Sequence, residues 1–145
     1  MTSPLLYLLD TNICIFTMNR RPEQVGRRMG EVTAAGHRIG LSRVTLHELW
    51  YGVRRSGRPE QNAARLSALV GTLDVFDFGP DAAEAAAGIR ATLAGSGSPI
   101  GPYDVLIAGH ALSLNARVVT NNLGEFGRVP GLRCEDWTRE DGDIQ

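Results

Sequence analysis

The chain has 145 residues, of which 43% are hydrophobic and 21% are charged, and its formal net charge is −1. These values are ordinary for a globular domain. No apolar run approaches the roughly eighteen residues of a membrane span. The N-terminus lacks the basic region and cleavage site of a secretory signal. Cys14 and Cys134 follow no metal-binding spacing. We therefore expect one domain over residues 1–145, a cytoplasmic location, reduced thiols and no membrane contact.

The charges are unevenly distributed along the chain. Residues 1–65 carry ten arginines and five acids (net +5), whereas residues 66–145 carry five arginines and eleven acids (net −6). Lysine is absent, which excludes P-loop and Schiff-base chemistry that depends on it. Arginine suits bidentate contact with phosphate, although the codon preference of a GC-rich genome would explain the same composition. The acidic residues 138–145 predict a flexible tail.

Apolar segments alternate with amphipathic ones, which predicts an α/β fold. Strands are predicted at residues 4–10, 37–44, 73–78, 116–120 and 132–137, the last at a sheet edge. Helices are predicted from about Ile13 and at residues 22–36, 45–55, 59–73, 80–95 and 101–116. Strands separated by helices indicate a parallel sheet covered on both faces, and such sheets bind ligands beyond the carboxyl ends of their strands.

Polar side chains stand where these strands are predicted to end. Asp10 ends the first strand, and Glu48 lies one turn into the helix that follows the second. Asp104 lies in the first turn of the helix at 101–116, and Asn122 follows the fourth strand, with Glu125 just beyond. A parallel sheet would bring all of these to one edge.

Each position also has a purely structural interpretation. Asp10 is a suitable N-cap, and Thr45 with Glu48 fits the capping box S/T-x-x-E. The helix macrodipole favours Asp104, and Asn122 suits a turn. Taken together, however, clustered carboxylates repel one another unless a cation lies among them. Oxygen-only ligands suit Mg²⁺ or Mn²⁺, which indicates a metal-dependent phosphodiesterase or nuclease.

Four segments resemble the successive motifs of PIN-domain proteins, most closely those of VapC-type toxins. They are "LLDTNICIF", "SRVTLHELWYGVRRS", "SPIGPYDVLIAGHAL" and "VVTNNLGEFGRVPGLRCEDW". The resemblance covers nearly the whole chain and implies a PIN-like α/β/α sandwich around a mainly parallel five-stranded sheet. It also implies a Mg²⁺-dependent endoribonuclease, dimeric and inhibited by a VapB-type antitoxin, that cleaves RNA such as tRNA.

The resemblance assigns roles residue by residue. Asp10, Glu48 and Asp104 match the three invariant acids, which would hold the metal. Asn122 matches the fourth catalytic position, where the family has Asp or Asn. Thr11, Asn12 and Thr120 match the supporting positions. Two residues depart from the pattern: His47 stands where Ala is commoner, and Tyr103 stands where close relatives often have Asn or Leu.

Other polar residues have weaker assignments. The arginines expected to contact RNA phosphates are Arg43, Arg54, Arg55 and Arg90, although each is also consistent with an ordinary solvated surface residue. His110 lies six positions after Asp104, about 240° around the helix, so we expect it to pack away from the metal.

Three other functions remain open. A phosphatase of the dehalogenase type would have a second Asp at position 12 and a later lysine, and both are missing here. A non-catalytic binding protein of the same fold would not need all three acids. A PIN nuclease acting on ribosomal or other RNA outside a toxin role is the third alternative.

Overall fold

The computed structural model describes residues 3–139. Its strands are β1 (Leu6–Leu9), β2 (Arg38–Ser42), β3 (Asp74–Phe76), β4 (Arg117–Val119) and β5 (Cys134–Glu135). Its helices are α1 (Thr11–Asn19), α2 (Glu23–Ala34), α3 (Arg43–Arg55), α4 (Pro59–Val70), α5 (Pro80–Gly95), α6 (Pro102–Ser113) and α7 (Leu123–Phe126).

The five strands form one parallel sheet in the order β3-β2-β1-β4-β5. The central strand β1 pairs with β2 on one side and β4 on the other, so Leu8 lies opposite both Gly40 and Val118. The strand order reverses direction at β1, and a crevice opens beyond the carboxyl ends of the strands at such a point.

The side chains of β1 alternate between two hydrophobic layers. Tyr7 and Leu9 belong to a core that contains residues of α1–α4 together with the fully buried Trp137. Leu8 belongs to a second core that contains residues of α5, α6 and α7. Helices therefore cover both faces of the sheet, and the predicted α/β/α sandwich is confirmed.

At two glycines, the backbones of neighbouring elements lie so close together that a side chain would not fit. A Cβ atom on Gly109 in α6 would lie 2.5 Å from the Cα atom of Ala86 in α5. A Cβ atom on Gly40 would lie 2.6 Å from the carbonyl oxygen of Asp74 on the neighbouring strand. The helix pair α5–α6 is thus packed backbone against backbone, which holds α6 and its first turn in place.

The start of α3 differs from the prediction. The helix begins at Arg43 rather than at Thr45, because the Ser42 hydroxyl accepts the N–H of Val44 at 3.0 Å and caps the helix directly from the end of β2. Thr45 is fully buried inside the helix. The proposed capping box of Thr45 and Glu48 is therefore wrong, and Glu48 is not used to cap α3.

Helix α7 was not predicted. Four residues are too few to show a helical period in the sequence, and the helix depends on a capping side chain from Asn122. Of the tail expected to be flexible, residues 140–145 lie outside the described residues, whereas the backbone N–H of Thr138 donates to Asp136 at 2.9 Å. Between residues 3 and 139, none of the helices has the length and apolarity needed to cross a membrane.

Candidate active site

Asp10 lies at the carboxyl end of the central strand and is only 4% exposed. Its Oδ1 atom accepts the N–H of Ile13 at 2.9 Å, so the structural role as the N-cap of α1 is real. Burial raises the pKa of Asp10 to about 6, an effect opposed by hydrogen bonds from Thr120 and Ile13 and reinforced by the charge of Glu48. A cap alone does not require this carboxylate to lie beside another acid.

Glu48 is held beside Asp10 by a hydrogen bond between helices. The Thr11 hydroxyl donates to Glu48 Oε1 at 2.7 Å and joins the first turn of α1 to α3. This contact gives the predicted supporting residue Thr11 a definite role, which is to orient the Glu48 carboxylate. Asn12, the next residue, is exposed.

Asp104 lies in the first turn of α6, as predicted, and is partly buried. Its carboxyl group is hydrogen-bonded to that of Glu125. Burial, followed by that hydrogen bond and the negative charges of Glu125, Asp10 and Glu48, raises the pKa of Asp104 to about 7. The three predicted acids therefore interact with one another, although 94 residues separate the first from the last.

Glu125 is a fourth carboxylate of this cluster, and the sequence reasoning assigned it no role. Its Oε1 atom accepts the N–H of Gly101 at 2.7 Å, and its Oε2 atom accepts from the side-chain amide of Asn122. The Gly101 hydrogen bond is the main cause that lowers the pKa of Glu125. The spacing Asn-x-x-Glu, which resembles a capping box, is the signal that could have indicated a paired function for the two residues.

Asn122 lies where the fourth catalytic residue is predicted, but its side chain makes hydrogen bonds within the protein. Its Oδ1 atom accepts the N–H of Glu125 at 3.4 Å, and its own N–H donates to the Thr120 hydroxyl at 2.9 Å. Thr120, another predicted supporting residue, is fully buried at the end of β4. Asn122 therefore holds Glu125 in place, and its catalytic role stays a prediction.

The donor set fits a hard divalent cation. Asp10, Glu48, Asp104 and Glu125 offer only oxygen atoms. Burial, together with the neighbouring acids, raises the pKa of Asp10 and Asp104, and a bound cation would favour their charged forms. Within residues 3–139, no three His, Cys, Asp or Glu side chains already form a metal-binding group as placed. Glu48 and Glu125 are bonded to protein groups instead, so these two would exchange such contacts for the ion.

The raised pKa values predict how the metal-free protein responds to pH. Between about pH 4 and pH 7, the folded chain keeps protons on Asp10 and Asp104 that the unfolded chain has lost, so these groups make folding less favourable as pH rises. We expect Asp104→Asn to melt a few degrees above the wild type at pH 8 in EDTA, and the difference to vanish towards pH 4. Thermal melts across this range measure it.

The matched control for this experiment is Asp81→Asn, which changes an exposed acid in the first turn of α5. Its melting temperature should follow that of the wild type across the same pH range. Parallel melting curves for wild type and Asp104→Asn would contradict the assignment of a strained, partly buried carboxyl at position 104.

The arginines expected to contact RNA lie on two separate helices. Arg43 pairs with Asp77 at 3.0 Å, and both side chains are exposed. Arg54 and Arg55 are exposed in the last turn of α3, and Arg90 lines a groove between α5 and α6. The structure does not gather these four arginines around the carboxylates, and their contact with RNA stays a prediction.

His110 is 1% exposed, and its Nδ1 atom lies 2.8 Å from the Ser42 hydroxyl. It is edge-on to the ring of Phe78, with 5.4 Å between the ring centroids. His110 is therefore packed in the interior and ties α6 to the junction of β2 and α3. Its orientation away from the metal stays a prediction.

Comparison with known proteins decides the family. Residues 7–132 match the family model described as the PIN domain. This chain belongs to the PIN-domain family. PIN-domain nucleases generally depend on a divalent metal, and the carboxylate cluster lies at the edge of the sheet where this parallel fold opens its crevice.

Two similar relatives are both named as VapC nucleases. The tRNA(fMet)-specific endonuclease VapC of Salmonella typhimurium is 47% identical over 133 residues, which cover 92% of this chain and 98% of that protein. Ribonuclease VapC2 of Rickettsia felis is 38% identical over 135 residues, covering 93% and 100%.

Solved structures give the same result. VapBC2 from Rickettsia felis, bound to a promoter DNA fragment, contains a chain that matches with a TM-score of 0.86 at 38% identity, covering 92% of this chain and 99% of that one. DNA-bound VapBC from Salmonella typhimurium matches with a TM-score of 0.85 at 47% identity, covering 92% and 98%. The predicted resemblance to VapC-type toxins is confirmed.

Proposed function

We propose that this chain is a Mg²⁺-dependent endoribonuclease, the toxin of a toxin–antitoxin pair, and that it cleaves tRNA(fMet). The observation that carries the proposal is the meeting of four carboxylates from separate parts of the chain at one edge of a PIN-type sheet. Relatives at 47% and 46% identity are named tRNA(fMet)-specific endonucleases, which supports this substrate over others.

Each acidic residue of the cluster would have its own role in hydrolysis. Asp10 and Asp104 would hold the ion, and Glu125 would complete the negative charge around it. When bound, Mg²⁺ lowers the pKa of a coordinated water and neutralises charge that builds on the phosphate oxygens. Glu48, which now accepts a hydrogen bond from the Thr11 hydroxyl, would complete the site or orient the attacking water.

Partners follow from the same relatives. The structures from Rickettsia felis and Salmonella typhimurium are VapBC complexes bound to DNA. We propose that this chain likewise binds a VapB-type antitoxin. We also propose that it forms a homodimer and acts in the cytoplasm, where its RNA substrate is found. Blocking the carboxylate cleft would be the direct way for such a partner to prevent cleavage.

The proposal is tested by incubating purified wild-type protein with tRNA(fMet), with elongator tRNAs and with ribosomal RNA. We expect cleavage of tRNA(fMet) with Mg²⁺, no cleavage in EDTA, and recovery when Mg²⁺ is restored. Mn²⁺ is expected to substitute, because it accepts the same oxygen ligands.

Each alternative function has its own outcome in this assay. Cleavage of ribosomal RNA in preference to tRNA(fMet) would support a PIN nuclease with another substrate. Binding of RNA without cleavage by any divalent metal would indicate a non-catalytic binding protein. Metal-independent cleavage would overturn the assignment of the carboxylate cluster.

A further inference from the structure

An aromatic pair lies beside the carboxylate cluster and has no part in the chemistry described above. Tyr103 and His47 have ring centroids 5.6 Å apart, with an angle of 50° between the ring planes. Each ring belongs to the residue that immediately precedes a cluster carboxylate, since Asp104 follows Tyr103 and Glu48 follows His47. The pair thus connects α3 and α6 at positions next to Glu48 and Asp104 in the chain.

The exposure of the pair calls for an explanation. Tyr103 is 45% exposed, one of four large hydrophobic residues with high exposure among those that the structure describes, and His47 is also exposed. An aromatic ring loses favourable free energy when it stays in water. The exposed ring of Tyr103 therefore offers an apolar contact surface to a binding partner.

We propose that Tyr103, supported by His47, is the platform on which a nucleobase next to the cleaved phosphodiester bond stacks. This inference rests on the proposed nuclease function and adds a substrate contact to it. A nucleotide whose phosphate lies at the carboxylates carries its base close to that phosphate, and Tyr103 and His47 directly precede Asp104 and Glu48 in the chain. Every base has a π face, so the platform gives affinity and positioning without selecting base identity.

Single-stranded RNA is the occupant that matches this surface. Stacked aromatic side chains combined with nearby cations are the usual arrangement for unpaired nucleotides. Helix α3 carries both kinds of side chain, although the exposed Arg54 and Arg55 lie about two turns after His47, in its last turn. A base that leaves its own stack in an RNA loop regains a stacking partner on Tyr103.

The experiment is a cycle that combines a protein variant with an RNA lacking one base. Fragments of tRNA(fMet) that span the cleaved bond, mapped with the wild-type protein, carry an abasic nucleotide at each flanking position in turn, and kcat/KM is measured with Mg²⁺. We expect one position at which the abasic change lowers kcat/KM of the wild type by about ten- to a hundredfold. Tyr103→Leu should lower kcat/KM on normal RNA by a similar factor. It should also lose the abasic penalty, which is the decrease in kcat/KM caused by removing that base.

Two further variants separate stacking from other effects. Tyr103→Phe keeps the ring, so the abasic penalty should persist, whereas His47→Leu should reduce it. Tyr51→Leu alters an exposed aromatic residue one turn after His47 on α3 and should keep the full penalty. Because Tyr103 is exposed, these changes leave the core intact, and a circular dichroism melt checks this.

The inference would be overturned if Tyr103→Leu and the abasic change lowered kcat/KM independently, so that their effects added in free energy. Cleavage by the wild type would still support the nuclease function in that case. A change in oligomeric state of Tyr103→Leu with the penalty intact would mean that the ring contacts a second copy of the chain, and would also overturn it. If the wild type cleaves no RNA with any divalent metal, both proposals fail together.

Discussion

Replacing Asp104 with Asn is expected to abolish Mg²⁺-dependent RNA cleavage while the fold stays intact. The change keeps the size and shape of the side chain but removes one of the negative charges that would hold the ion. Asp104 interacts with Asp10, Glu48 and Glu125, so it is central to the cluster. Metal ions contribute several kcal/mol of transition-state stabilisation, and we expect kcat to fall by about a hundredfold or more.

Asp81→Asn is the matched control for this experiment. Asp81 also lies in the first turn of a helix that begins with a proline, but it is exposed on α5. Its cleavage rate should equal that of the wild type, and circular dichroism should show both variants folded. Cleavage by Asp104→Asn at the wild-type rate in Mg²⁺ would show that the metal site lies elsewhere.

Glu125→Gln is expected to weaken Mg²⁺ binding while keeping one of the hydrogen bonds that Glu125 accepts. The amide oxygen of Gln can still accept the N–H of Gly101, which donates to Glu125 at 2.7 Å, whereas its N–H group cannot accept from the Asn122 amide. The lost charge should raise the Mg²⁺ concentration for half-maximal activity by about ten- to a hundredfold. Activity should return in large part at saturating Mg²⁺, and a titration of rate against Mg²⁺ measures both effects.

The pH profile gives a second readout for Glu125→Gln. Glu125 is one of the groups that raise the pKa of Asp104, so its neutralisation should lower that pKa in the metal-free protein and, at subsaturating Mg²⁺, move the acid limb of the rate profile to lower pH. Glu84→Gln, an exposed change on α5, is the control and should alter neither property. An unchanged Mg²⁺ requirement together with an unchanged acid limb would reduce Glu125 to a structural link between Gly101 and Asn122.

The strands and most helices were predictable because their signals are local. The apolar run before Asp10 indicates a strand buried on both faces, and Pro102 indicates the first turn of α6. The acids Asp10, Glu48 and Asp104 were found because each lies at a predictable end of such an element. Their chemistry required only that parallel strands share one carboxyl edge, which is a general property of α/β sheets.

The capping of α3 shows where local reasoning failed. Thr45 and Glu48 have the spacing of a capping box, but Ser42 comes earlier in the chain and caps the helix from the end of β2. A spacing of three residues cannot distinguish between competing caps, because the outcome depends on where the strand stops. The structure thereby leaves the Glu48 carboxylate free to meet the Thr11 hydroxyl, 37 residues away.

The sequence by itself determined the family, the fold class and three of the four clustered acids, because periodicity, turn residues and motif order are all written locally along the chain. Only the tertiary structure decided that Glu125 joins them. Its partner Gly101 is 24 residues away in the chain, and helix α7, which contains Glu125, is too short to show a helical period in the sequence. The pairing of Tyr103 with His47 was likewise decided by how α6 lies against α3. Such contacts depend on packing between distant segments, and no local pattern encodes their geometry.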